Sequence, residues 1–200
     1  MGKPRVIIFD VMETLVTEPF FTAVPAFFGM TCEGLQSAKH PTAWIEFEEG
    51  RITEAEYLDR FFLDRRAVDG EGLRQCLEQA YRWVDGMEGL LTELKAADCE
   101  MHALSNYPVW YALIDESLRL SRFLHWTFVS CLTGVRKPDP QAYLGAAAAL
   151  QLEPKACLFI DDRVENVEAA TAVGMDAILK VDSTQVRNEL AQREVLARRS

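Results

Sequence analysis

Val6-Ile7-Ile8-Phe9-Asp10 decides the fold: four apolar residues in a row, ending on a carboxylate. A continuous apolar run lacks the alternation of a half-exposed strand and reads as a central parallel strand buried on both faces. Its terminal Asp10 then lies at the carboxyl edge of the sheet. Further runs of this kind occur at Glu100 to Leu104, Thr127 to Ser130, Cys157 to Ile160 and Ala177 to Val181, each followed by polar or turn residues. Between them lie stretches with helical periodicity at Glu88 to Ala97, Tyr107 to Leu120, Pro140 to Leu150, Glu165 to Val173 and Thr184 to Leu196. Alternating strand and helix predict an α/β fold, a Rossmann-like parallel sheet flanked by helices. Ligands of such sheets bind outside the carboxyl ends of the strands, where Asp10, Ser105 and Asp161-Asp162 would converge.

The stretch from Glu18 to Val84 breaks the alternation, because it holds helical patterns rich in aromatics and acids and no strand signal. It reads as a helical insertion after the first strand. The expected division is a Rossmann-like core of residues 1–17 and 85–200 with residues 18–84 inserted. Thr53 to Glu56 has the form of a capping box, and Gly70-Glu71-Gly72 marks a break before another helix. Phe20, Phe21, Phe27, Phe28, Trp44, Phe47, Phe61 and Phe62 recur at helical spacing, so most belong to a core and one or two face a site. Glu46, Glu48 and Glu49 read as a solvated face, Arg136 as solvent-facing, and His102 and His125 as structural.

The 200 residues include 31 acidic and 21 basic side chains, a formal charge of -10. That balance disfavours nucleic acid and anionic membranes as partners, and an anionic substrate must meet a local positive site. Five scattered cysteines without a CxxC pair predict reduced thiols and no structural zinc. No apolar run is long enough to span a bilayer, and because MGKPR runs directly into the first strand no signal peptide is expected in this stretch. The expectation is a soluble protein, with the start of the chain compatible with a removed transit peptide.

A carboxylate at one strand end, a hydroxyl after another, Lys137 before a proline turn and paired aspartates after a third strand suit phosphoryl transfer. Such chemistry needs a nucleophile, a divalent cation and donors for the phosphate oxygens, and hard oxygen ligands select Mg²⁺. VIIFDVMETL (6–15), LSN (104–106), RKPDP (136–140) and FIDDRVEN (159–166) occur in this order, and together they resemble the four motifs of the haloacid dehalogenase superfamily. The position of the insertion is similar to that family's type 1 cap.

The resemblance implies that Asp10 is a nucleophile that becomes an aspartyl phosphate, that Ser105 hydrogen-bonds a phosphate oxygen, and that Lys137 stabilises both. It implies Mg²⁺ held by Asp10, the Met12 carbonyl and Asp162, with Asp161 supporting or binding through water and Asn166 behind them. Candidate substrate contacts are Asn106, Lys39, His40, Tyr107 and Trp110, the last two as flavin stackers. Met12 departs from the family's phosphatases, which carry there an aspartate that protonates the leaving group. Methionine cannot, and that help is worth roughly 10² to 10⁴ in rate. Glu13 is the nearest carboxylate, although neighbouring residues point differently.

Longer stretches, FDVMETLVTEPFFTAVPAFFGM (9–30), KHPTAWIEFEEG (39–50) and SNYPVWY (105–111), resemble the plant chloroplast flavin mononucleotide hydrolases, which also have methionine in the first motif. This implies hydrolysis of flavin mononucleotide (FMN) to riboflavin and phosphate. It implies a chloroplast stroma for a chain from a photosynthetic eukaryote; otherwise the cytoplasm is expected. The alternatives are a flavin or phosphate-ligand binding protein with little turnover, a phosphonate hydrolase using Lys39 to form an imine, or a dehalogenase.

Overall fold

The computed structural model describes residues 6–197; the whole N-terminal MGKPR stretch, residues 1–5, lies outside the described part. Five parallel strands form one sheet in the order β3-β2-β1-β4-β5: β1 (Val6–Phe9), β2 (Glu100–Ser105), β3 (His125–Val129), β4 (Cys157–Asp161) and β5 (Asp176–Leu179). β1 is central and fully buried, as its unbroken apolar run requires. The chain builds outward from β1 through β2 to β3, then crosses to β4 on the other side of β1. The ends of β1 and β4 therefore flank the point where the winding reverses, which is where an open α/β sheet leaves a crevice.

Helices α6 (Met87–Ala96), α7 (Tyr111–Leu118), α9 (Pro140–Ala149), α10 (Val164–Ala172) and α11 (Ser183–Gln192) surround the sheet, with the short α8 (Ser130–Thr133) after β3. Two clusters of buried side chains lie around the sheet. The smaller includes Ile8, Phe128, Tyr143 and Phe159, and the larger runs from Ile7 and Phe9 through Leu91 and Ile114 into the inserted segment. The expected strands and helices are present with shifted ends. The helix expected from Tyr107 begins at Tyr111, because Pro108 holds the chain after β2 out of helical conformation.

Residues 18–84 hold five helices, α1 (Ala23–Phe27), α2 (Cys32–Ala38), α3 (Ala43–Glu48), α4 (Glu54–Asp59) and α5 (Gly70–Ala80). The capping box read at Thr53 is present, with the Glu56 side chain accepting from the Thr53 amide and the Thr53 hydroxyl accepting from the Glu56 amide. The segment leaves and rejoins the sheet side by side. Thr17 N–H donates to Arg82 O and Val84 N–H to Leu15 O, both at 2.9 Å. No disulfide joins the cysteines among the described residues. Among the described residues no helix is long and apolar enough to cross a membrane.

His102 is buried between Glu100 (3.0 Å) and Thr127 (2.8 Å), a structural setting as expected for it. Two readings are corrected. Glu48 is buried, not solvated: its carboxylate accepts from Arg136 (2.8 Å) and from the Trp44 indole, and its carbonyl accepts from the Ser130 hydroxyl at 2.5 Å. Arg136 is half-buried, and one guanidinium nitrogen turns inward to Glu48 where solvent-facing was expected, since a carboxylate so placed requires a partner.

Candidate active site

Lys137 is the hub of the site. The residue is 3% exposed, and its ammonium donates to Asp10 Oδ1 at 2.6 Å and to Asp161 Oδ2 at 2.7 Å. Asn106 clamps the backbone that carries it, donating through Nδ2 to Lys137 O and accepting through Oδ1 from Lys137 N–H, each at 2.8 Å. The residue after Ser105 thus ties the end of β2 to the lysine loop.

Asp161 is saturated by protein donors. Its Oδ2 also accepts from Asn166 (2.9 Å), and its Oδ1 accepts the Arg163 amide at 2.8 Å. Asp10 and Asp162 are not: each has one oxygen bound, Asp162 by the Thr14 hydroxyl at 3.1 Å, and one without a protein donor among the described residues. Ligand-atom positions on Asp10, Asp161 and Asp162 lie within 4.8 Å of one another. Three carboxylates against one ammonium leave an excess of negative charge in a largely buried place, and that excess and the hard oxygen donors fit a divalent cation.

Electrostatics report the same imbalance. Burial pushes the Asp10 carboxyl up to about 7, with Lys137 opposing and Asp161 adding to the rise. Asp162 is raised by burial and by Asp161. Burial works to lower the Lys137 pKa, but Asp10 and Asp161 together raise it above the ordinary lysine value.

A cavity of about 390 Å³ opens from this cluster toward the helical segment, with Asp10, Met12, Ser105, Asn106, Lys137 and Asp162 at one end. The Ser105 hydroxyl has no protein partner among the described residues. The far end is formed by Glu18, Phe20, Phe21, Lys39, Trp44 and Phe61. Tyr107 and Trp110 also line the cavity, but as parts of a packed aromatic cluster. The Tyr107 and Tyr81 hydroxyls hydrogen-bond at 2.8 Å, and Trp110 meets Phe47 and Tyr57 edge-on at 5.2 and 5.4 Å. His40 is not brought to the cavity: its Nδ1 accepts the amides of Thr42 (3.3 Å) and Ala43 (3.2 Å), capping α3. Glu13 stands in a left-handed turn, φ 57°, and its Oε1 is taken by the Glu18 amide at 2.5 Å.

Thr14 and Glu18 were not singled out in the sequence. A hydroxyl four residues beyond a strand-end aspartate, inside a loop, is the signal for Thr14, because such side chains bond nearby backbone and polar groups. For Glu18 the signal is an acid directly before a proline: it caps the 3-10 turn Pro19–Phe21, accepting the Phe20 amide at 2.9 Å.

Residues 4–174 match the model of the haloacid dehalogenase-like hydrolases, and the chain belongs to that family. Within it, the chain is 47% identical over 189 residues, 94% of its own length and 77% of the relative's, to a chloroplastic flavin mononucleotide hydrolase of Arabidopsis thaliana. It is 33% identical over 154 residues to a sesquiterpene phosphatase of Aspergillus oryzae, covering 74% of this chain and 78% of that one. A haloacid dehalogenase family enzyme of Bacteroides thetaiotaomicron, solved with magnesium and inorganic phosphate, superposes with a TM-score of 0.74 at 16% identity, over 90% of this chain and 96% of that one. The chain is thus a hydrolytic enzyme of the phosphatase class.

Proposed function

We propose that this enzyme is a Mg²⁺-dependent phosphomonoester hydrolase that converts FMN to riboflavin and phosphate through an aspartyl phosphate on Asp10. The observation that carries the reading is the pairing of a hydrogen-bonded Asp161–Lys137 scaffold with open oxygens on Asp10 and Asp162 at the mouth of a cavity. The magnesium-bound relative supports the metal, and the identity to the plant FMN hydrolase supports the substrate. A cavity of about 390 Å³ falls within the usual range for organic ligands. The helical segment 18–84 would serve as the cap, and the chloroplastic relative supports a chloroplast location for a chain from a photosynthetic eukaryote.

Asp10 is held for attack, one oxygen fixed by Lys137 and the other open toward the cavity. Asp10 bonds to phosphorus as the ester P–O bond breaks, with Ser105 and Lys137 as donors to the phosphate oxygens. Water then cleaves the aspartyl phosphate and frees Asp10. Asp10, Asp162 and the Met12 carbonyl would hold Mg²⁺, which when bound neutralises charge on the phosphate. Met12 gives the leaving ribityl oxygen no proton, so this reading expects slower turnover than an aspartate there would support. Dehalogenation fits less well, since it has no use for a converging carboxylate set.

The test is phosphate release from FMN with Mg²⁺ and with chelator, in the wild type and in Asp10→Asn. Release that needs both metal and Asp10 supports the reading. Flavin binding without release, independent of enzyme amount, would favour a binding protein that has lost turnover with its acid.

A further inference from the structure

At the end of the cavity away from phosphate, two opposite charges face a shared space without neutralising each other. The Lys39 ammonium lies 3.9 Å from the Phe20 ring centroid and 5.5 Å from those of Trp44 and Phe61, with no hydrogen bond or ion pair among the described residues. Burial lowers it to about 8, against the opposing pull of Glu18 and Glu48. Glu48 is committed, with one oxygen on Trp44 and the other on Arg136. Glu18 is half committed: Oε1 accepts the Phe20 amide, and its second oxygen has no donor among the described residues. Glu18 and Lys39 feel each other's charge and both line the cavity, yet no ion pair closes between them.

A desolvated cation and an acceptor oxygen held apart are costly unless something supplies their partners. Phe20, Phe21, Trp44 and Phe61 line the cavity with them, and aromatic surfaces of this kind suit a planar ring. We propose that Lys39 and Glu18 form a specificity pair that reads the imide edge of the leaving group's ring, Lys39 donating to a ring carbonyl and Glu18 accepting the adjacent ring N–H. The pair selects phosphate esters of planar heterocycles carrying a C(=O)–NH–C(=O) edge over esters of sugars, simple alcohols or hydrocarbons. The isoalloxazine of flavin has such an edge, so the inference deepens the proposed function and rests on it for the phosphate end.

Riboflavin, the product, separates recognition from turnover. Its binding to the full chain is followed by flavin fluorescence beside that of N3-methylriboflavin, which keeps both carbonyls and lacks the N–H. The wild type is expected to prefer riboflavin by about tenfold or more, the scale of one hydrogen bond to a charged group. Glu18→Gln keeps the cap on Phe20 through its oxygen and turns an amide donor toward the ligand N–H, so the preference should fall to near unity. Lys39→Met, similar in length and uncharged, should weaken both ligands about tenfold and leave their ratio intact. A wild-type ratio near one, or a ratio unmoved by Glu18→Gln, overturns the proposal. The wild-type ratio decides alone if a variant fails to fold. Should the wild type bind no flavin, the flavin reading falls separately, and uridine 5'-monophosphate against its N3-methyl form reads the pair. No preference there overturns the pair as well.

Discussion

Replacing Lys137 with methionine tests the charge balance on which the site depends. Lys137 sits between two carboxylates at 2.6 and 2.7 Å, one of them, Asp161, 0% exposed. Methionine preserves most of the stem and removes the charge, so the loss reads electrostatics more than packing. Removing one partner from a buried ion pair costs about 3–5 kcal/mol, a large share of the roughly 5–15 kcal/mol that holds a domain folded. Burial already lifts Asp10 to about 7 with Lys137 in place, and the variant lifts it further. A carboxyl whose folded pKa exceeds its unfolded one binds protons on folding. Its favourable contribution is complete below the unfolded value near 3.8 and is lost as pH rises through the folded value. The deficit of Lys137→Met should therefore be largest at pH 8 and smaller at pH 5. Urea unfolding at both pH values, in chelator, measures it. Adding Mg²⁺ should return part of the loss, because a cation bound only to the folded state stabilises it. Neutralising one carboxylate in Asp10→Asn with Lys137→Met should also return part of it. A deficit under about 1 kcal/mol at pH 8, well short of the buried-pair cost, or one identical at pH 5, would refute the reasoning.

Met12→Asp should raise FMN turnover, up to the roughly 10² to 10⁴ that general acid help supplies. Steady-state phosphate release should show a larger gain for FMN, whose alkoxide needs a proton, than for p-nitrophenyl phosphate; equal or absent gains with an intact fold count against the missing-acid account. Arg136→Met strands the Glu48 carboxylate, already raised by burial against the pull of Arg136. Its folded pKa rises further, so thermal melting should show a loss that grows from pH 5 to pH 8. Lys39 should lose its charge as pH passes about 8, with Glu18 and Glu48 the acids facing it. Riboflavin affinity of the wild type should fall between pH 7 and pH 9.5, a drop absent from Lys39→Met.

The carboxylate end of the cavity was legible in the sequence because strand ends are. Short apolar runs ending in Asp10, Ser105 and Asp161-Asp162 fix both the sheet and the edge to which the polar residues come. The helical segment was legible only as helices, because which face of an amphipathic helix meets which neighbour depends on packing absent from local periodicity. Glu46, Glu48 and Glu49 illustrate this within four residues: Glu46 holds Arg60 at 2.6 Å on the outside, Glu49 pairs with Arg51 at 2.6 Å, and Glu48 turns inward to Arg136. Lys39 and His40 are adjacent, yet one reaches the cavity and the other caps a helix. The Thr14 contact with Asp162 spans 148 positions, and no local pattern announces it.

The two ends of the cavity divide the work differently. At the carboxylate end the charges of Asp10, Lys137, Asp161 and Asp162 each have a protein partner, leaving one open oxygen on Asp10 and one on Asp162, so under the proposed reading the reacting atoms meet a fixed framework that need not reorganise. At the other end the Lys39 ammonium, set against aromatic rings, and the second oxygen of Glu18 have no hydrogen-bond partner among the described residues. Methionine at position 12 lines the same cavity beside Asp10, adding apolar surface where an acid would have placed a charge. Under the proposed reading, a ring gripped at its far edge by Lys39 and Glu18 fixes where the ester oxygen and phosphorus lie relative to Asp10. Interactions with remote parts of a substrate can be expressed as orientation at the reacting centre. An enzyme lacking the acid thus depends more on its leaving-group site than one that has it. Small esters that cannot reach Lys39 lose both the proton donor and the positioning, while a ring-bearing ester loses only the first.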